Sequence, residues 1–342
     1  MIALCWLFLC LQSSALPPVV LTHSSILGFD IILPNMKVSI IIPTYNRNDL
    51  LVKTLQGMVD MDTTGLDWEV ILVDNAGNDE TAQVSARFSE SLPLKFIVER
   101  APGKNNALKT ALNHATGELL IFTDDDVIAD PAWIKSLVDA AGRWGDADLF
   151  GGRILPKYPK GMTAPAIKDA VFMRVAYVIA ERDLPEGEYP AGRIWGPNMM
   201  VRRRVFDQGL MFNTDIGPSG SNYVMGSETE FLHRASDAGH IAVHVPSALV
   251  YHQIRPEQLT HSWLFGRAFR MGRSSAYLNR SVPVLKVKKW MVRDVIVLYA
   301  RYMYSYVLGP KSERLENGIK FHKSRGYIYQ CYKGRNKKHN SG

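Results

Sequence analysis

Cysteine is nearly absent: the 342 residues include three, Cys5, Cys10 and Cys331, with none between the last two. That argues against a disulfide framework and a Cys-ligated zinc site, and fits a reducing compartment or a fold that needs no staples. An uninterrupted apolar run of the ~20 residues that a membrane span requires is also missing. Met1 to Phe29 holds no Lys, Arg, Asp or Glu, yet Pro17, Pro18 and the polar residues 22–25 interrupt it. Ser13-Ser14-Ala15 resembles a cleavage site, but the basic leader of a signal peptide is not there. Met36 is followed at once by a complete strand pattern, so residues 1–35 read as an extension: an upstream mis-assigned start, a signal or an anchor. The fold is expected to begin at Met36. No G-x-G-x-x-G follows the first strand, which disfavours a nicotinamide dehydrogenase. There is no internal repeat and no low-complexity tract.

What is present is a well-supplied core, with 46% hydrophobic and 21% charged residues. The net charge of +7 is uneven. Residues 286–342 carry 14 Lys and Arg against three Asp and Glu, so the body before them sums to −4. Val38–Pro43, Glu69–Val73, Lys95–Val98 and Glu118–Phe122 are short β-branched or apolar runs of buried-strand type. Between them, residues 46–58, Thr81–Phe88 and Lys104–His114 have helical spacing, with Asn46 expected as the first N-cap. Pro131 is placed to open a further helix, with Trp133, Ile134, Leu137 and Val138 on its apolar face.

Strand–helix alternation at this spacing predicts an α/β fold built on a doubly wound, mostly parallel sheet, whose ligands bind beyond the carboxyl ends of the strands. The polar clusters Thr44–Arg47, Asp74–Asp79, Gly103–Asn106 and Asp124–Asp126 all fall at those ends. After residue 150 the alternation breaks. Residues 155–168 and 181–198 read as long surface loops, Met199–Val205 as a strand and Ser227–Ala238 as a helix. Ile241–Val245 and Ala248–Tyr251 read as two short strands, and His261–Leu278 as a helix with Arg267, Arg270 and Arg273 three apart.

Three consecutive aspartates at a strand end are costly without a counter-charge. Oxygen ligands at this density suit Mg²⁺ or Mn²⁺ shared with substrate phosphates; a solvated acidic first turn of a helix is the alternative. Five segments, in order, resemble the successive signatures of glycosyltransferase family 2. They are Val38-Ser-Ile-Ile-Ile-Pro-Thr-Tyr-Asn-Arg47, Val70-Ile-Leu-Val-Asp-Asn75, Gly117-Glu-Leu-Leu-Ile-Phe-Thr-Asp-Asp-Asp126, Gly196-Pro-Asn-Met-Met-Val-Arg-Arg-Arg204 and Gly226-Ser-Glu-Thr-Glu-Phe-Leu-His-Arg234.

The resemblance spans about residues 37–280. It implies a GT-A fold, with residues 36–130 forming a nucleotide-sugar half, residues 131–280 an acceptor half, and residues 281–342 a basic helical tail. It further implies a divalent metal and transfer from a nucleotide-sugar, UDP-linked by first expectation, to a hydroxyl acceptor with inversion. Polysaccharide, lipopolysaccharide or other glycoconjugate synthesis would be its setting. On this pattern Pro43, Thr44, Tyr45, Asn46, Arg47 and Asp74 would contact the nucleotide. Asn75 stands where many members have a second aspartate. Asp124 and Asp125 would face the ribose or sugar side, and Asp126, with Asp124 and His252, would hold the metal. Lys104 would reach the phosphates, and Trp195 and Asn198 would line the acceptor pocket, with Trp195 equally able to be core.

Glu228 falls where the family places its catalytic base, a carboxylate that takes the acceptor's proton during attack. Its alternative role is first-turn helix electrostatics. Glu230 is expected to point elsewhere. A family member that binds nucleotide or glycan without turnover, and a nucleotidyltransferase on a similar sheet, are the competing readings. Trp290–Leu308 reads as an amphipathic helix on an anionic membrane, with a solvated charged terminus as the plain alternative. No nucleic-acid motif accompanies the basic tail. The expected location is cytoplasmic, peripheral on the inner face of the cell membrane, with a glycan or lipid-linked acceptor.

Overall fold

Every residue of β1 (Val38–Thr44) is buried, because the strand is central and both of its faces are covered. The computed structural model describes residues 36–77, 79–217, 224–278 and 287–333; the 1–35 extension lies outside these. β1 pairs in parallel with β2 (Trp68–Asp74) and with β4 (Leu119–Phe122), and β2 pairs with β3 (Leu94–Val98). The nine-stranded sheet runs in the order β3-β2-β1-β4-β8-β6-β9-β5, with β7 (Gly187–Glu188) paired to β9. β8 (Met199–Arg202) is antiparallel to both β4 and β6 (Ala147–Lys157). β6 and β9 (Ile241–Gln253) are parallel, and β5 (Val127–Ala129) is antiparallel beyond them.

Alternation along the strands divides the core. Ile40, Ile42, Val70, Leu72 and Ile121 pack on one side with Leu51 and Leu55 of α1 (Asn48–Val59) and with Trp133, Ile134 and Leu137 of α4 (Trp133–Arg143). Ile41, Ile71, Val73, Leu120 and Phe122 point the other way, onto α3 (Lys104–His114), α6 (Arg203–Asp207) and α7 (Ser227–Asp237). Helix α2 (Asp79–Phe88) and α5 (Ala170–Tyr177) complete the body.

The expected elements of the first half are present, with one correction. Asn46 is not the N-cap of α1: the helix starts at Asn48 with Arg47 at the cap position. Asn46 instead takes φ 51°, the left-handed turn that Asn tolerates.

The second half departs further from expectation. β6 and β5 carry no alternation long enough to be read. Met199–Val205 divides into β8 and α6, since Val205 and Phe206 both enter the same core layer, as successive residues of a strand do not. The two short strands expected after residue 240 are one strand, β9, with a register shift where Gly152 pairs Val245 and Arg153 pairs Leu249. Pro246 and Ser247 occupy the interruption, and proline has no N–H for the ladder.

Three helices close the chain: α8 (His261–Leu278), α9 (Lys289–Val307) and α10 (Lys311–Lys333). α8 and α10 meet backbone to backbone. A Cβ on Gly272 would strike the Lys323 carbonyl oxygen, and one on Gly326 would strike that of Phe269. Leu264, Ala268, Leu315 and Ile319 bury around this contact together with Phe172 and Tyr177 of α5. The described residues belong to one compact unit.

Candidate active site

A cleft of about 790 Å³ opens at the carboxyl ends of β1, β2 and β4. Its lining includes Pro43, Thr44, Tyr45, Arg47, Asn75, Lys104, Asp124, Asp125 and Asp126 from the first half, and Trp195, Glu228 and His252 from the second. Tyr45 is 60% exposed, a ring standing free at the rim. Trp195 is part core and part wall, since it packs against the sheet cluster and also lines the cleft.

The aspartate triplet finds its counter-charges here. The left-handed turn at Asn46 brings Arg47 inward, and its Nη1 donates to Asp125 Oδ1 at 3.0 Å and to Asp126 Oδ2 at 3.1 Å. Thr44 Oγ1 donates to Asp125 Oδ2 at 2.9 Å. Burial and the neighbouring Asp126 still push Asp125 up to about 6, against the pull of Arg47. For Asp126, burial alone would raise the carboxyl. His252 outweighs it, with Arg47 and Arg255, and holds the group well below the usual carboxylate range.

His252, at the end of β9, is fixed from behind. Its Nδ1 lies 2.9 Å from the Tyr177 carbonyl oxygen, which can only accept, so Nδ1 carries the proton and Nε2 faces the cleft. Nε2 is 3.6 Å from Asp126 Oδ1, and that oxygen is buried with no hydrogen-bond partner. An orphaned buried carboxylate oxygen beside an aimed imidazole nitrogen fits two ligands of a divalent cation that takes its remaining ligands from phosphate and water. Among the described residues, no three His, Cys, Asp or Glu side chains converge on one metal position. Asp124 does not join the pair; its Oδ1 accepts from Lys104 Nζ at 2.5 Å.

Lys104 is the pivot of the site. It follows Gly103, the φ 125° residue that opens α3, and its Nζ also donates to Glu228 Oε1 at 2.7 Å. Glu228 opens α7, where helix-terminal N–H groups favour a carboxylate, and Ser227 Oγ donates to its Oε2 at 2.8 Å. Burial would raise Glu228, but the Lys104 cation prevails and holds it at about 2. Gly196 is required beside it: a Cβ there would lie 2.8 Å from Glu228 Cγ and Oε1. Glu230 turns away to pair with Arg234 at 2.7 Å, as expected, and Lys109 is exposed outside the cleft.

Three expected contact residues lie elsewhere. Asn198 is fully buried behind the wall. Its amide accepts from Trp133 Nε1 at 2.8 Å and donates to the Arg153 and Ala248 carbonyls, so it ties β6, β9 and α4 together and has nothing left for an acceptor. Asp74 is buried at the end of β2 and accepts from the Ala76 N–H at 2.8 Å. Asn75 lines the cleft in its stead, with an amide that shapes the loop at 99–103. Asn46 lines an adjoining cleft of about 840 Å³ rather than this one.

Sequence reasoning assigned no role to Arg255, Arg267 and Arg270, which line the far wall with Trp263. Arg267 donates to the Val175 carbonyl at 2.9 Å and lies 5.9 Å from the Trp263 ring centroid. The three-residue spacing of the arginines was the visible signal.

These features define a cleft in which buried carboxylates are matched by Arg47 and Lys104. The family model for glycosyl transferase family 2 matches residues 39–210, half of the chain, and the protein belongs to that family of glycosyltransferases. Glycosyltransferase AglE of Haloferax volcanii is 27% identical over 239 residues, 69% of this chain and 72% of that protein. The glucosyl-dolichyl phosphate glucuronosyltransferase of the same organism is 24% identical over 77% of this chain and 84% of its own. The mannosyltransferase PcManGT of Pyrobaculum calidifontis, solved with GDP-mannose and Mn²⁺, matches with a TM-score of 0.56 at 17% identity, covering 86% of this chain and 88% of that one. The fold is GT-A.

Proposed function

We propose that this glycosyltransferase moves a sugar from a nucleotide-sugar, UDP-linked by preference, to a hydroxyl of a glycan or lipid-linked acceptor, with inversion and with Mg²⁺ or Mn²⁺. The observation that carries the proposal is Glu228: a half-buried, ionised carboxylate on the cleft wall, joined through Lys104 to the Asp124–Asp126 strand end. The relative named for a glucosyl-dolichyl phosphate acceptor supports a lipid-linked substrate. The setting that follows is glycoconjugate synthesis in the cytoplasm, at the inner face of the cell membrane.

Tyr45 binds and orients the nucleotide beside the loop that Asn75 shapes, and Lys104 and Arg47 face its diphosphate. Asp126 and His252 would hold the metal, whose chemistry is to offset charge on the leaving diphosphate. The acceptor oxygen attacks the anomeric carbon as Glu228 takes its proton. The bond from that carbon to the diphosphate oxygen breaks on the opposite face, and the nucleoside diphosphate leaves with the electron pair. Trp195 presents a ring face to a sugar, and the wall behind it keeps water away.

The test is a transfer screen with UDP-, GDP- and dTDP-sugars, run with Mn²⁺, Mg²⁺ or EDTA on wild type, Asp126→Ala and Glu228→Gln. Metal-dependent release of one nucleotide, lost in both variants, is the expected result. Turnover that survives Glu228→Gln would remove the base assignment. Binding of nucleotide without turnover in every arm would favour a binding protein.

A further inference from the structure

Helix α9 is exposed on nearly all sides: of its 19 residues, only Ser305 is buried. Yet it is apolar. Val292, Ile296, Met303 and Val307 recur at helical spacing and are all exposed, which places them on one outward face. Ile296 is 62% and Val307 67% accessible, and Leu308 just beyond is 79%. The side towards α10 is already used, with Tyr299 and Tyr302 on Phe321 at 5.2 and 5.9 Å between ring centroids. An outward apolar stripe on a second face costs solvation unless something covers it.

Charge identifies the cover. Lys288 caps the helix, and Lys289 and Arg293 lie in its first turns, with no acidic residue in the first turn. Cations there oppose the helix dipole, so a helix meant for water would carry the reverse. Arg301 and Lys311 add to the positive charge, against one acid, Asp294, between residues 288 and 311. Trp290 and Tyr304, 51% and 61% exposed, are the residues that settle at a lipid headgroup boundary. No described helix is long and apolar enough to cross a membrane, so α9 is suited to lie flat.

We propose that the outward face of α9 is a docking surface for an anionic lipid bilayer, with its apolar stripe in the headgroup boundary and its cations on lipid phosphates. α9 packs on α10 and α10 on α8, and α8 supplies Arg267 and Arg270 to the cleft. Phe265 of α8 also meets Tyr302 of α9 at 5.7 Å between ring centroids, so the docking face and the cleft wall are joined by direct packing. Docking therefore holds the cleft wall close to a lipid surface from which a lipid-carried acceptor can be drawn. This last step rests on the transfer reaction proposed above; the docking does not.

The test is co-sedimentation of the full chain with phosphatidylcholine vesicles, with and without phosphatidylglycerol, using Glu228→Gln protein beside wild type so that binding and turnover are read apart. Expected is salt-sensitive binding to the anionic vesicles alone, equal in both proteins. It should fall at least about tenfold in Ile296→Asp/Val307→Asp and in Lys288→Glu/Lys289→Glu, at an unchanged melting temperature. No binding by wild type overturns the inference, as does full binding by the Ile296→Asp/Val307→Asp protein. Sedimentation velocity closes the remaining route: a dimer that the same double substitution dissociates would make the face a contact between copies, and the bilayer would be wrong.

Discussion

Replacing Lys104 with Met removes the cation shared by Asp124 and Glu228 and leaves both carboxylates facing each other without it. The Lys104 and Glu228 side chains are 17% and 19% exposed, close to a buried pair, for which loss of one partner costs about 3 kcal/mol or more. An independent route gives the same size. Holding Glu228 at about 2 instead of 4.5 corresponds to about 3 kcal/mol. The sign follows from the direction: the stabilisation is full above pH 4.5 and is lost as pH falls toward about 2. Lys104→Met should therefore lower the melting temperature at neutral pH by roughly 6–12 °C, at 2–4 °C per kcal/mol. Its deficit should narrow in acid.

Adding Glu228→Gln to Lys104→Met deletes the stranded charge and should return about 1–3 kcal/mol, the coupling of a directly paired set. Denaturant titrations of wild type, both singles and the double provide the cycle. The acid limb of kcat/KM adds a second readout: wild type should show no Glu228 limb near neutrality, and Lys104→Met should acquire one as burial takes control of the carboxyl. Strictly additive stabilities, or an acid limb indifferent to Lys104, would refute the argument that this lysine keeps the base ionised.

Gly196→Ala places a methyl group against Glu228 Cγ, whose carboxylate is pinned by Lys104 and Ser227; kcat should drop on the order of a hundredfold, with a stability loss of about 1 kcal/mol as the side chain is displaced. Asn198→Ala should behave oppositely. It strands Trp133 Nε1 and two buried carbonyls, costs about 3 kcal/mol, and leaves nucleotide affinity of the folded protein unchanged by calorimetry. His322 is pressed down to about 4 by burial, with Arg325 adding to it, and is stacked on Phe265 at 4.9 Å. A base lowered on folding makes stability present above pH 6.5 fade as pH falls toward 4. With solvent screening the loss is about 1–2 kcal/mol, and His322→Phe should flatten the melting-temperature profile across that window.

The first half was legible because local and tertiary demands coincide there. Val38–Pro43 and Val70–Val73 are buried on both faces, so their composition alone marks them as strands, and the polar residues just past them have nowhere to lie but the strand ends. Thr44, Arg47, Lys104, Asp125, Asp126, Glu228 and His252 were each reachable in this way or through the family's motifs. What one chain segment cannot disclose is the direction of a side chain. Asn198 sits between two residues of a site motif, yet its amide is consumed by β6 and β9, which are far apart in sequence and of which β6 is not recognisable as a strand. Asn46 has the chemistry of a cap, but the turn out of β1 needed a residue that tolerates φ 51°.

The tail was obscured for a different reason. α10 carries Gly318 and Gly326, each of which lowers intrinsic helix propensity by about 1 kcal/mol, and its apolar residues are scattered around the helix, so it reads as a charged terminus. Those glycines are what allow it to be a helix in this place: with any side chain at 326 the Phe269 carbonyl would have to withdraw, and α8 with it. Since α8 bears Arg267 and Arg270, the far wall of the cleft depends on a close approach made by residues that, taken alone, argue against the helix they form. A site assembled across such a contact can be located from motifs, but half of its wall becomes visible only when the partner helix is in place.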